Sequence, residues 1–472
     1  MSEILFCFDK ITIKKNAQVI FQDFNWTVRR GENWVILGQS GSGKTTLLEA
    51  LMGRCIVSGG VQKNVSAFDI VQVPRDFSGH WVVKAAMQYY QQRYNGFDAN
   101  LAPTVRAFLT DQVKPAGTVN ELSVRLLPNI ISEITLLQTC QSLQIEHLLE
   151  RHLTSLSNGE TRRVLLTYSL LKKAKILLLD DPFIGLDVAS RQQLHNVLNG
   201  IMEAGVTVIM VSSHREIPTN ITHILDLSGS VMQANNDIED KPNLIDYQPI
   251  VNFKIAVQMR NVTIKYGTDK ILDNLNWTVA AGERWAVLGP NGSGKSTLLS
   301  LITADNPQGY ANDYDLFDRK RGTGESIWDI KRNIGFVSPE LHSYFPKNYT
   351  CFEVVVSGLF ERLGVKFTVA ETEKAQALHV LELLQLEKLT YQNFGQISTG
   401  QQRLVLLARA LVKNPPMLIL DEPCQGLDQT QSRLFRDIIQ NLCADGGRTL
   451  IYVTHYADEI PDCITQTLRL VS

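Results

Sequence analysis

The chain has 472 residues, 44% of them hydrophobic and 20% charged, so it can bury the cores of two or more domains. Lys and Arg number 46 against 48 Asp and Glu, a net charge of -2, which argues against a nucleic-acid surface as its main feature. The seven cysteines are scattered with no CxxC pair, which fits a reducing compartment better than a disulfide frame or a zinc site.

The N-terminal stretch MSEILFCFDKITIKK has no basic segment ahead of an apolar core, so a signal peptide is not expected. Its β-rich segments CFDKITI and VIFQDFNWTV predict a small antiparallel layer. The apolar run VILG then reads as a buried strand. It leads into Gly38, Gln39, Ser40, Gly41, Ser42, Gly43, Lys44, Thr45 and Thr46, which fit G-x-x-x-x-G-K-[ST] between a strand and a helix. Glycines let backbone N–H groups and the helix N-terminus face phosphates, Lys44 neutralises them, and the Thr45 hydroxyl suits Mg²⁺. A long helical stretch from Ile130 and the segment Leu156-Ser157-Asn158-Gly159-Glu160 precede a second buried run, ILLLD. That strand ends in Asp180 and Asp181, the first placed to hold Mg²⁺ and the second to orient an attacking water. The strand VTVIMVSS ends at His214.

These blocks then repeat. LNWTVAAGERWAVLGPNGSGKSTLL from Leu275 matches FNWTVRRGENWVILGQSGSGKTTLL from Phe24, and MLILDEPCQGLD from Met417 matches ILLLDDPFIGLD from Ile176. The second phosphate loop comprises Gly289, Pro290, Asn291, Gly292, Ser293, Gly294, Lys295, Ser296 and Thr297, with Ser296 toward Mg²⁺. The second acid pair is Asp421, a metal-site residue, and Glu422, a catalytic one. His455 stands at the same offset from His214 as the acids do from each other, which favours function over core packing for both histidines. The paired Trp26/Trp277 and Trp34/Trp285 read as strand packing. The expected organisation is a domain over 1–230, an Asn-, Asp- and Pro-rich linker over 231–254, and a second domain over 255–472. Strands alternating with helices predict an α/β fold, each half a mainly parallel sheet with an antiparallel layer and a helical subdomain. No apolar run reaches about 18 residues, so no membrane span is expected.

In this order, the motifs resemble the ATP-binding cassette superfamily. Its signature is matched by Leu156–Glu160 and by Ile397-Ser398-Thr399-Gly400-Gln401, and its loop after the acids by GLD at Gly185–Asp187 and Gly426–Asp428. The resemblance makes His214 and His455 switch histidines beside the catalytic Asp181 and Glu422. It implies a head-to-tail sandwich within one chain, each ATP lying between one half's phosphate loop and the other half's signature, represented by Ser398 and Gly400 or by Ser157 and Gly159. Tyr266 matches the family's adenine-stacking aromatic, whereas Lys15 stands at that place in the first half. The family's glutamine after the next strand is missing: Pro339 and Glu340 occupy it in the second half, and Arg75 in the first with Gln72 slightly early. Thr399 and Asn158 replace a usual glycine.

Within the superfamily, GENWVILG, GERWAVLG and NIGFVSPELH are similar to tandem cassettes linked to molybdate transport and photorepair. The function implied is an ATPase using ATP and Mg²⁺, cytoplasmic, and peripheral at the inner face of the cell membrane when bound to an integral-membrane permease. So little sequence follows His455 that no C-terminal ligand-sensing domain is expected. The alternatives are a soluble double cassette acting on ribosomes or DNA, against which the short, non-basic linker counts, and a low-turnover regulator. Because Asp181 is one methylene shorter than Glu422, the two sites are expected to be unequal.

Overall fold

The structure is a computed structural model that describes residues 3–15, 18–39, 41–66, 69–73, 103–110, 133–153, 156, 158–172, 174–213, 216–227, 247–266, 269–361, 369–444 and 447–470. The chain divides into two compact units, Met1–Ala234 and Asn235–Ser472.

The first unit carries β1 (Ile4–Lys15), β2 (Gln18–Arg29), β3 (Trp34–Leu37), β4 (Ile56–Lys63), β5 (Ile70–Val73), β6 (Ile176–Asp180), β7 (Thr207–Val211) and β8 (His223–Asp226). β2, β1 and β4 form an antiparallel sheet in that order, and β5-β6-β7-β3-β8 form a parallel one. The uninterrupted apolar run of β6 has a physical cause. Leu177 and Leu179 face a core shared with the helices Glu133–Ser142, Asn158–Leu171 and Val188–Glu203, while Ile176 and Leu178 face a core shared with β1, β2 and the helix Lys44–Leu51. A strand covered on both faces has no polar alternation to show.

The second unit repeats the plan with β9 (Ile255–Tyr266), β10 (Asp269–Ala280), β11 (Arg284–Leu288), β12 (Asp313–Leu316), β13 (Arg319–Lys320), β14 (Ile334–Val337), β15 (Met417–Asp421), β16 (Thr449–Val453) and β17 (Gln466–Arg469). Its antiparallel sheet runs β10-β9-β12-β13 and its parallel sheet β14-β15-β16-β11-β17. Met417 and Ile419 face one core, Leu418 and Leu420 the other. In each unit the paired tryptophans meet edge to face, Trp26 with Trp34 and Trp277 with Trp285, both at 5.6 Å between rings. They fasten the antiparallel layer to the parallel sheet. Among the described residues, no helix is long and apolar enough to cross a membrane.

Parallel strands deliver their C-terminal ends to one edge of a sheet, where ligands bind in such folds. The loop after β3 and the acids after β6 therefore come out together with only β7 between their strands, and β11, β16 and β15 repeat the arrangement.

Candidate functional site

Each phosphate loop turns directly from strand into helix. Gly43 and Gly294 cap the helices Lys44–Leu51 and Lys295–Ile302 in the left-handed region, at φ 83 and 89. A Cβ on Gly43 would lie 2.7 Å from the Phe21 ring, and one on Gly294 would lie 2.9 Å from the Ile271 carbonyl. Neither cap has a side chain to bond the first N–H groups of its helix. Those donors, at the positive end of the helix dipole, form a cradle that suits a phosphate. Lys44 Nζ donates to the carbonyls of Gly38 and Gln39 at 2.8 and 2.7 Å, and Lys295 Nζ to those of Gly289 and Pro290 at 2.8 Å each. Each ammonium thus arches over its own loop. The Ser42 and Ser293 hydroxyls are buried inside the loops without a hydrogen-bond partner among the described residues. Thr46 is buried and Thr297 half-buried.

The acids arrive as the sheet order requires. Thr45 Oγ1 donates to Asp180 Oδ2 at 3.0 Å, across 135 residues of sequence. A hydroxyl and a carboxylate side by side are the hard oxygen donors that Mg²⁺ takes, so the first-unit pair fits the ion. In the second unit Asp421 pairs with Val453 across the sheet, as Asp180 pairs with Val211. Burial, then the nearby Glu340 and Glu422 charges, push the Asp421 carboxyl well above the usual carboxylate range, with Lys295 and Arg403 acting in the opposite direction. The second acids share a strained geometry: Asp181 has φ 47 and Glu422 φ 43, and their N–H groups donate to Val211 and Val453 carbonyls at 3.0 and 2.8 Å. Non-glycine residues held there cluster at functional sites. Glu422 Oε2 accepts a hydrogen bond from the Gln425 amide at 2.7 Å, and His455 Nε2 lies 2.7 Å from Oε1 without the angle of a hydrogen bond.

The signature region of the second unit is a helix start. Ser398 caps the helix Thr399–Leu411 in a reciprocal box with Gln401, at 3.0 and 3.3 Å. Gly400 is buried so tightly that a Cβ would meet Gln431 at 2.5 Å, and Gly159 has Ser190 at 2.8 Å. Ser40, Ser157 and His214 lie outside the described residues. Tyr266 ends β9, paired with Asp269. Lys15, at the matching place in the first half, forms an ion pair with Glu49 at 2.5 Å.

Four residues of this neighbourhood, Glu340, Arg403, Arg162 and Gln425, escaped the sequence reading as site residues. Glu340 lies close enough to the acid pair to act on Asp421 electrostatically. It follows β14, whose Val337 pairs with Leu420. Gln72, by contrast, sits within β5 and accepts a hydrogen bond from Arg54 at 2.8 Å. Arg403 is 2% exposed. Its Nη2 donates to the Gln425 carbonyl at 3.2 Å, and burial lowers its pKa to about 10 against the pull of Cys424, Glu422 and Asp421. Arg162 holds the corresponding place in the first unit and is also buried. Their matched positions in the two repeats were the available signal for a buried cation; nothing local announced Gln425.

The ABC transporter family matches twice, over residues 21–184 and 272–425, which together make more than half of the chain. The Escherichia coli ABC transporter ATP-binding protein ModF is 35% identical over 94% of this chain and 92% of its own length. An uncharacterised ABC transporter ATP-binding protein of Schizosaccharomyces pombe is 31% identical over 96% of this chain and 94% of its own. A solved bacterial ABC transporter cassette is 28% identical over 46% of this chain and 94% of its own, with a TM-score of 0.39. Two cassette matches in one chain, each carrying its phosphate loop and acid strand, make this protein a member of the ABC transporter family, a tandem ATP-binding cassette ATPase.

Proposed function

We propose that the chain is the energy-coupling subunit of a membrane importer, with the two cassettes, over 1–230 and 255–472, joined by the linker 231–254 and closing head-to-tail on two ATP molecules. One composite site would join Lys44, Thr45, Asp180, Asp181 and His214 to Ser398 and Gly400. The other would join Lys295, Ser296, Asp421, Glu422 and His455 to Ser157 and Gly159. The observation that carries turnover is the Glu422 carboxylate at the end of β15, held by the Gln425 amide on one oxygen with His455 Nε2 beside the other. That arrangement suits a group that orients the attacking water and accepts its proton. Lys295 and the helix N–H donors oppose the charge that develops on the γ-phosphate oxygens. Mg²⁺ bound with ATP supplies further neutralisation of that charge; Thr45 with Asp180, and Ser296 with Asp421, would hold it. Tyr266 is assigned to the adenine.

A transporter role is supported by the likeness to the ABC transporter ATP-binding protein ModF over nearly the full chain, and the importer and molybdate readings by the softer motifs around Trp34, Trp285 and Ile334. The permease would hold the protein at the inner face of the membrane. Affinity purification of the tagged full-length chain from detergent-solubilised cells tests this. A multi-helix membrane protein recovered with it in ATP-sensitive fashion is the expected outcome. Recovery of ribosomes in its place would overturn it.

A further inference from the structure

Behind the acid loop of the first unit lies a group of side chains that the nucleotide chemistry has not used. The helix Val188–Glu203 starts at Asp187, whose side chain accepts the Ser190 N–H at 2.8 Å. It carries Arg191 and His195 one turn apart on the same face. The His195 ring stacks on Phe183, with 4.4 Å between centroids and 24° between planes. Phe183 is buried and follows Asp181 and Pro182 on the acid loop. At the edge of the imidazole, Nε2 lies 2.9 Å from Glu216 Oε2, and Arg191 Nε lies 3.4 Å from Glu216 Oε1. All three side chains are largely withdrawn from water.

These contacts close a circuit. The Glu216 carbonyl accepts the Ser212 hydroxyl at 2.8 Å, just after β7 ends at Val211. The Val211 carbonyl accepts the Asp181 N–H at 3.0 Å. The loop that holds Asp181 at φ 47 is thus tied to the end of β7 twice, once through its own backbone and again through Phe183, His195 and Glu216. A non-glycine residue in the left-handed region persists where its surroundings over-determine it. The second unit builds the same corner from other chemistry. Cys424 stands where Phe183 does, its sulfur 3.4 Å from the Tyr452 hydroxyl, and Arg436 stands where His195 does, its Nη1 donating to the Asp458 carbonyl at 2.7 Å. The tie from helix to loop recurs there, but Cys424 has no ring for it to press on.

We propose that His195 is a positioning residue for ATP hydrolysis at the first site, acting through Phe183 on the placement of the Asp181 carboxylate. This rests on the reading of Asp181 as the acid that orients the attacking water. The stack holds Phe183 in place, and Glu216 with its Arg191 partner fixes the rotation of the imidazole that makes the stack. Asp181 has one side-chain torsion fewer than Glu422, so its carboxylate follows the backbone closely and cannot reach to correct a shifted loop. A displacement of about 1 Å at such a group costs on the order of 10²-fold in rate. Partial loosening of the loop therefore slows the chemical step while ATP binding, which rests on the phosphate loop, is kept.

The test uses the full-length chain carrying Glu422→Gln, in which the remaining hydrolysis belongs to the first site. Single-turnover hydrolysis of radiolabelled ATP over a range of protein concentrations gives a maximal rate and a half-saturating concentration. His195→Ala is expected to lower the maximal rate by about 10-fold and to change the half-saturating concentration by less than about 2-fold. His195→Arg, which can stack on Phe183 and pair with Glu216, is expected to return the rate to within about 2-fold of the parent. When Asp181→Asn is also present, His195→Ala should cost nothing further, because the group it positions is already lost. The same loss with and without Asp181, a change in half-saturation alone, or a lowered melting temperature with the rate intact would each overturn the proposal. If Asp181→Asn leaves the rate unaltered, the reading of Asp181 falls and the proposal with it. If Asp181→Asn slows hydrolysis and His195→Ala does not, only the positioning role falls. Where His195→Ala does not fold, Phe183→Leu decides the matter: it keeps an apolar side chain and removes the ring, a drop of about 5-fold is expected, and an unaltered rate overturns the proposal.

Discussion

Asp181 and Glu422 stand on the same left-handed turn and donate to the same strand position, so the backbone does not distinguish the two sites. Side-chain length does, Asp181 being one methylene shorter than Glu422. Placement errors of about 1 Å can cost on the order of 10²-fold in rate. Glu422→Gln is therefore expected to cut steady-state ATP hydrolysis by about 10²-fold or more while ATP stays bound, and Asp181→Asn by less than about 10-fold. Single-turnover hydrolysis of radiolabelled ATP reads both, and equal losses would remove the unequal-site idea. Away from the site, burial would raise the pKa of Glu325, but the N–H groups of Gly322, Glu325 and Thr323 and the Arg321 guanidinium override it, down to about 2. Its folded pKa is depressed, so its stabilisation is present above the unfolded value of about 4.3 and lost as pH falls toward 2. Glu325→Gln should cost on the order of 3 kcal/mol at pH 7. Thermal melts from pH 7 to pH 2 should converge with wild type at the acid end.

The phosphate-loop helices show how much an element can announce itself. Their glycine spacing was plain in the sequence because the backbone needs it: a left-handed cap with neighbours under 3 Å from a would-be Cβ admits only glycine. Gly294→Ala adds a Cβ 2.9 Å from the Ile271 carbonyl, whereas a Cβ at Gly292 meets nothing within 4 Å. Gly294→Ala should weaken ATP binding at least about 10-fold, near 1.4 kcal/mol, and Gly292→Ala, with backbone strain alone, by less. Fluorescent-nucleotide titration of the full-length chain measures both. The central parallel strands were equally plain, since burial on both faces leaves uninterrupted apolar runs, whereas the exposed β8 and β17 show none. The role of the tryptophans as packing residues was legible from their matched spacing, but the edge-to-face pairing was not.

Across the molecule, the two units carry the same plan yet differ in what they bury. Arg448 is fully buried, its guanidinium donating to the carbonyls of Pro415 and Tyr247 and to Asn414 Oδ1. The Tyr247 hydroxyl donates to the Leu411 carbonyl at 2.8 Å. Tyr247 falls in the stretch read as linker, yet it is seated on the second unit. Arg448→Met leaves those acceptors buried without their donor, at a cost of about 3 kcal/mol. Calorimetry should show melting of the second unit lowered by roughly 6–12 °C.

The sequence by itself determined the duplication, the phosphate loops, the acid strands and the α/β class, because each is written in local spacing or in periodicity and then written again. Tertiary structure alone decided that Glu340 acts on Asp421, that Arg403 carries its charge near the acid pair, and that His455 meets Glu422. The reason is common to all three. Each joins residues whose separation in the chain is set by intervening helices and strands, so their meeting is fixed by sheet order and burial, which no local pattern encodes.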